Sequence, residues 1–514
     1  MHDQRGRWVL ALISIAAAVR LGLAAALPLS VDESYAAVIG RRLGLSYFDH
    51  PPMAFWWVGL ATRLAGSEVP VVVRLPFIVA AMATTWLLYR LGRFLFGGGA
   101  GLWSAILLNL SLFLSIPAGG WALPDGPLLL FSVAAALCLA RATLEAERGP
   151  SGEASAAAAP GRQGWWTGFG LCAGLAMLSK YHGILLVAGA VVFLCTSPVR
   201  RAWWRRREPY VAAACGAAMF MPVVTWNAAH HWASFRFQGG RAVPADEEGA
   251  STFVDSVAGQ AAWTLPWIWI PLLAVLGAAV WAGRRDTRRW LLVCLGTGPI
   301  LLFTLLTAAG IRGLPHWEAP GYFMLLPLLG AAAARATGGA ARWFTRWLWT
   351  SAVLFVLVVA GIAVHARTGW LRSVAPVLLA RGDPTDDLLD WSPVARELRR
   401  WGFPRPDALI ATARWDDAAK MALAMGSGVD VACVGEDARG FAIASAPAAN
   451  LGKDIALVVR RRSGPEPLSA YVRDFEQLRA LGSIPIFRGG HEEITISVYL
   501  GHRLRRALPL LQRQ

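Results

Sequence analysis

The chain has 514 residues, of which 56% are hydrophobic and only 16% charged, with a mean hydropathy of +0.46. That excludes an ordinary soluble enzyme and reads as a polytopic membrane protein. The net charge of +16 would suit nucleic acid if it gathered on one soluble face. Instead the arginines lie in short loops between apolar runs, and no nucleic-acid motif accompanies them.

The first apolar run, roughly 8–29, is long enough to cross ~30 Å of hydrocarbon as a helix. No small-x-small cleavage site follows it, so it reads as a retained span. A first loop, 30–70, carries Ser30-Val31-Asp32-Glu33 and then Tyr47-Phe48-Asp49-His50-Pro51-Pro52. On either side of that second motif, Ser34–Leu45 and Met53–Ala65 show apolar faces with Arg41, Arg42 or Arg63 opposite. They read as helices lying in the membrane interface. Further spans are expected at roughly 71–89, 99–116, 127–141, 165–179, 182–198, 209–226, 261–282, 290–310, 318–334 and 347–365, making eleven.

The Ala-, Ser-, Gly- and Pro-rich stretch 149–164 reads as a flexible linker. Residues 366–514 change character. Ala408–Ala411, Val429–Val434 and Ile455–Val459 read as strands, and Asp416–Met425 and Ser469–Leu481 as amphipathic helices. The expected organisation is a membrane domain over 1–365 and a small extracytoplasmic α/β domain over 366–514.

Arginine placement sets the orientation. Clusters at Arg5 and Arg7, Arg90 and Arg93, Arg141 to Arg162, Arg200 to Arg207, Arg284 to Arg289, and Arg342 with Arg346 are all cytoplasmic if the N-terminus is inside. The polar oddities then collect on the outer side: Asp32 and Glu33; Asp125; Lys180; His230, His231, Arg236 and Gln238; Arg312 and His316. Carboxylates, cations and histidines converging there are the layout of a site at a membrane surface.

Local structure offers competing explanations. Ser30-x-x-Glu33 fits a capping box, which accounts for Glu33 but leaves Asp32 over. Asp125 before Gly-Pro fits a helix start, Lys180 a snorkelling helix end, and His230 and His231 beside Trp232 an interfacial loop. Lysine is scarce here, however, and a compact ammonium suits a phosphate oxygen.

The motifs Val31-Asp32-Glu33-Ser34-Tyr35, Tyr47-Phe48-Asp49-His50-Pro51-Pro52, Pro124-Asp125-Gly126-Pro127-Leu128, Leu178-Ser179-Lys180-Tyr181 and Pro315-His316-Trp317-Glu318-Ala319-Pro320 resemble bacterial glycosyltransferase family 39. This protein-mannosyltransferase-like group of GT-C fold is related to the aminoarabinose transferases acting on lipid A. The resemblance covers residues 1 to about 335. It implies transfer of a sugar from a polyprenyl-phosphate donor to an extracytoplasmic acceptor: lipid A or lipopolysaccharide, another membrane lipid, or a protein.

By that resemblance Asp32 is the general base, with Glu33 beside it orienting groups or a divalent metal, and Asp125 is the second acidic loop residue. Lys180, Arg312 and His316 hold the donor phosphate. Tyr35, Tyr47, Asp49, His50 and His231 stand as substrate-binding candidates. The aminoarabinose transferases carry lysine where this chain has His50, and an imidazole is only partly charged near neutral pH.

The rival from another class is a transporter or flippase of an anionic lipid or lipid-linked sugar. Such a protein calls for ionisable residues at mid-membrane and repeated broken helices. These spans are nearly free of charge, and no internal repeat is evident.

Overall fold

The structure, a computed structural model, describes residues 2–145, 162–197, 200–240, 253–311, 313–379, 382–435, 437–444, 451–461, 469–472 and 474–505. Most of the expected linker, together with Arg312, lies outside the described residues.

All eleven apolar segments are helical. The N-terminal part runs α1 (His2–Ala26), α2 (Val31–Gly40), α3 (Met53–Ala65), α4 (Pro70–Phe96), α5 (Gly98–Leu110), α6 (Leu112–Ser115), α7 (Pro117–Gly120) and α8 (Asp125–Leu144). Then come α9 (Arg162–Ser179), α10 (Gly183–Thr196), α11 (Glu208–Ala229), α12 (Ala233–Gly240), α13 (Phe253–Thr264), α14 (Pro266–Ala282), α15 (Thr287–Ala308), α16 (Ala319–Arg335) and α17 (Gly338–Thr368).

Among the described residues seven helices are long and apolar enough to cross a membrane, or eight if the bent α5–α7 segment is one span. By that standard the expected eleven falls to seven or eight. Helices α9, α10 and α16, of 18, 14 and 17 residues, make up the difference from eight.

The chain divides into two compact units. One comprises 1–22, 44–54 and 74–357; the other comprises 23–43, 55–73 and 358–514. The grouping therefore does not follow a single cut near residue 365, because both helices of the first loop belong with the C-terminal region.

The first unit is a helical bundle with an apolar core that includes Leu139, Phe193, Leu292 and Phe323. Small residues allow backbone-to-backbone packing, as membrane helices require. A Cβ on Gly170 of α9 would lie 2.1 Å from the Ala212 carbonyl of α11. The third apolar segment turns by 89° between α5 and α6. Buried Arg20 of α1 holds that break, donating to the Ser115 carbonyl at 2.8 Å and to Asn109 Oδ1 at 2.9 Å. A membrane arginine thus finds hydrogen-bond acceptors where the helix opens.

In the second unit, α18 (Leu371–Val374), α19 (Ser392–Arg400), α20 (Trp415–Met425), α21 (Phe441–Ala444) and α22 (Ser469–Val472) accompany a five-stranded sheet. Its strands are β1 (Ala408–Thr412), β2 (Val431–Cys433), β3 (Asp454–Arg461), β4 (Phe475–Arg488) and β5 (His491–Leu504), in the order β2-β1-β3-β5-β4. Strand β1 pairs in parallel with β2 and β3, whereas β5 runs antiparallel to β3 and β4. The three expected strands and the helix after Trp415 are present. The expected helix over Ser469–Leu481 is not: after one turn, α22, the chain enters β4.

Helix α2 packs on α20, and its last residue, Gly40, closely approaches Gly59 of α3. A Cβ on Gly59 would meet the Gly40 carbonyl at 2.4 Å, so only glycine fits there.

Candidate functional site

In the first unit the polar residues gather where helices begin and end. Helix α9 closes with Lys180 N–H donating to the Ala176 carbonyl, and Asp125 is the first residue of α8. Because α8 and α9 pack side by side, these two ends meet. The Lys180 ammonium donates to both Asp125 oxygens, at 2.9 and 3.0 Å, and both side chains are buried. Neither residue therefore spends its side chain on capping or snorkelling. The carboxylate of Asp125 also lies within electrostatic reach of His316 and His50. His316 stacks on Phe113 with ring centres 4.9 Å apart.

The loop bearing the second motif is held in place from α12. The carbonyl of Asp49 accepts from Gln238, and Phe48 packs on Phe237. Asp49 is buried, with the His50 imidazole 4.0 Å from its carboxylate. Tyr47 is buried, and its hydroxyl accepts from the Gly44 N–H at 3.1 Å. Helix α12 is fixed in turn by Asn227, whose Oδ1 accepts from the Ser234 and Phe235 N–H groups. Ser234 and Tyr181 share a hydroxyl hydrogen bond at 2.6 Å.

Four expected site residues, Asp125, Lys180, His50 and His316, are thus brought together with Asp49 beside them. His231 is not part of this group. It is exposed, adopts a positive φ of 54°, and its carbonyl accepts from Arg236.

Nearby sits a network with no advance signal in the sequence. The Gln260 amide donates to Ser256, Thr304 and Glu318, at 3.1 Å for the last, and its carbonyl accepts from Tyr322 at 2.6 Å. Glu318 stands in the Pro315–Pro320 motif, but glutamine inside an apolar helix has no pattern that marks it.

The acid loop belongs to the second unit. Ser30 caps α2, its hydroxyl accepting from Glu33 N–H at 3.3 Å, while the Glu33 carboxylate accepts from Ser30 N–H at 2.9 Å. The capping box is real and Glu33 is fully buried in it. Asp32, one residue earlier, is exposed.

Tyr35 is buried against Phe55, Trp415 and Phe441, and its hydroxyl accepts from the Gly440 N–H at 2.9 Å. No group of three or more His, Cys, Asp or Glu among the described residues could hold a metal ion. Because the capping box engages Glu33, no step is assigned to a metal.

Comparison with solved structures defines the class. The chain has the fold of ArnT from Cupriavidus metallidurans, in the apo state (TM-score 0.66) and bound to undecaprenyl phosphate (TM-score 0.67). In both cases identity is 16%, over 96% of this chain and 98% of that one. It is a multi-pass helical membrane protein of GT-C fold with a C-terminal sheet region.

The sequence resemblance also holds. The family described as dolichyl-phosphate-mannose-protein mannosyltransferase matches residues 49–152 and 153–226. The chain is 26% identical over 309 residues to the lipid A galacturonosyltransferase RgtD of Rhizobium johnstonii. It is 23% identical over 321 residues to the undecaprenyl phosphate-alpha-4-amino-4-deoxy-L-arabinose arabinosyl transferase 2 of Proteus mirabilis. These matches cover 57% and 58% of this chain, and 58% and 50% of the two relatives.

Proposed function

We propose that the chain is a glycosyltransferase of a bacterial inner membrane, moving a sugar from a polyprenyl-phosphate donor to lipid A or another glycolipid. The names of both relatives support transfer over transport. The observation that carries the reading is the buried Lys180–Asp125 pair flanked by two imidazoles. Burying two charges at a membrane helix end is costly and calls for a purpose. A pre-aligned, buried ammonium stabilises the charge that develops on a departing lipid phosphate.

In this mechanism the acceptor hydroxyl attacks the anomeric carbon, the bond from that carbon to the phosphate oxygen breaks, and the polyprenyl phosphate leaves. The hydroxyl proton passes to Asp32, whose exposed carboxylate is distinct from the one closing the capping box. A single displacement inverts the anomeric configuration. Lys180, His316 and Arg312 bind the phosphate, and Asp49 and His50 bind the sugar. The N-terminus is cytoplasmic, with the chemistry and the C-terminal sheet region on the periplasmic side.

Binding of undecaprenyl phosphate to detergent-solubilised protein tests these roles separately. Lys180→Met weakens binding by about tenfold or more, the scale of one charged contact, while Asp32→Asn binds as the unaltered protein does. Unchanged binding in Lys180→Met would remove the phosphate role.

A further inference from the structure

The proposed reaction gives the C-terminal region no part, yet its most unusual side chain touches the acid loop. Lys420, on α20, is buried, and its ammonium donates to two backbone carbonyls, those of Leu29 and Leu389. Lysine almost never lies buried unless its polar end has partners, and an aliphatic residue would pack there at no desolvation cost. What the ammonium secures is the peptide group directly ahead of Ser30, the cap of α2.

One turn further on, the Tyr35 hydroxyl takes the Gly440 N–H, and its ring is boxed by Phe55, Trp415 and Phe441. That contact is close, since a Cβ on Gly440 would fall 2.6 Å from the Tyr35 oxygen. At the far end of α2, Arg41 binds Glu68 through both oxygens and donates to the Ala422 carbonyl of α20. Helix α2 is thus held before its cap, in its second turn and at its end. Within 31–37, Asp32 alone is exposed.

We propose that the C-terminal α/β region is a positioning clamp for the reaction, with Lys420 and Tyr35 as the residues that fix where the Asp32 carboxylate points. This rests on the assignment of Asp32 as the base. Neither residue touches substrate in this scheme. Each acts by holding the first turn of α2 rigid, and a displacement of about 1 Å at a reacting group can cost on the order of a hundredfold in rate.

The test uses the full-length protein in lipid nanodiscs, with a polyprenyl-phosphate sugar and a lipid acceptor. Lys420→Met is expected to lower kcat about tenfold or more while donor KM moves less than about threefold. Tyr35→Phe, which deletes a single hydroxyl, does the same more weakly and covers the case in which Lys420→Met fails to fold. Combined with Asp32→Asn, neither change slows the residual rate further, because each works only through Asp32. Amide hydrogen exchange over 29–36 rises in Lys420→Met and is unchanged in Asp32→Asn.

Exchange at 29–36 that stays protected in both clamp variants overturns the proposal. So do losses that multiply with that of Asp32→Asn, or that fall on KM instead of kcat. Full activity in Asp32→Asn overturns the base assignment instead, so the two failures are told apart.

Discussion

In the proposed reaction, few residues of a largely apolar chain carry the chemistry, the Lys180–Asp125 pair among them. Both side chains are buried, so each offsets part of the other's desolvation penalty. Losing one partner strands a charge: Lys180→Met or Asp125→Asn alone should cost about 3–5 kcal/mol of stability. The Lys180→Met/Asp125→Asn double variant should recover much of that while remaining inactive. Thermal unfolding in detergent reads the difference, and a double variant less stable than either single one would contradict the pairing. These residues were legible in the sequence because a charge among apolar spans stands out. Arg20 and Gln260 were not, since what satisfies them is a helix break and a set of distant side chains that no local pattern announces.

Among elements, the spans and the first strands were legible from apolar run length and two-residue alternation. The strand at Phe475–Arg488 was not. Its segment FEQLRALGSIPIFR carries leucines at helical spacing, and Pro485 argues against a central strand. Pairing with β5 overrides that local preference, and the edge position of β4 tolerates the proline. The capping box at Ser30 was equally readable, but not the clamp that follows it, because Lys420 and Gly440 lie about 400 residues away in sequence. The close α2–α3 crossing gives a sharp prediction. Gly59→Ala forces a Cβ onto the Gly40 carbonyl and should destabilise by about 1–3 kcal/mol, visible as a lower unfolding midpoint. Alanine at Gly66, where nothing lies within 4 Å, meets no such clash, although its positive φ of 62° adds backbone strain.

At the scale of the whole molecule, the C-terminal region makes stability depend on pH in two windows. Burial draws the Lys420 ammonium down to about 7 from 10.5, with Arg460 pressing the same way and Asp387, Glu33 and Asp390 opposing. Between those values the unfolded chain binds the extra proton, so stability climbs as pH rises from about 7 towards 10.5. Lys420→Met should flatten that slope. The clamp itself persists, because a neutral amine keeps two N–H donors.

At low pH one group that matters is Asp383. Burial alone would raise it, but hydrogen bonds from Thr385 and Arg488 hold it at about 2. Its contribution is complete above the ordinary value of 3.8 and is lost as pH falls to about 2. Asp383 also accepts from His365 near the end of α17, while Arg488 binds Glu493 at the β4–β5 hairpin. Asp383→Asn should therefore reduce the acid-side loss of stability, as followed by thermal midpoints between pH 2 and 5.

The most direct measurement is transfer in reconstituted proteoliposomes. Radiolabelled sugar on undecaprenyl phosphate and lipid A as acceptor would be supplied to unaltered protein and to Asp32→Asn. The expected result is labelled lipid A with the unaltered protein, inverted at the anomeric carbon, and a rate lower by about a hundredfold or more in the variant. Equal transfer by both would contradict Asp32 as the base. Label crossing the bilayer still attached to its polyprenyl phosphate, with none transferred, would contradict a transferase altogether.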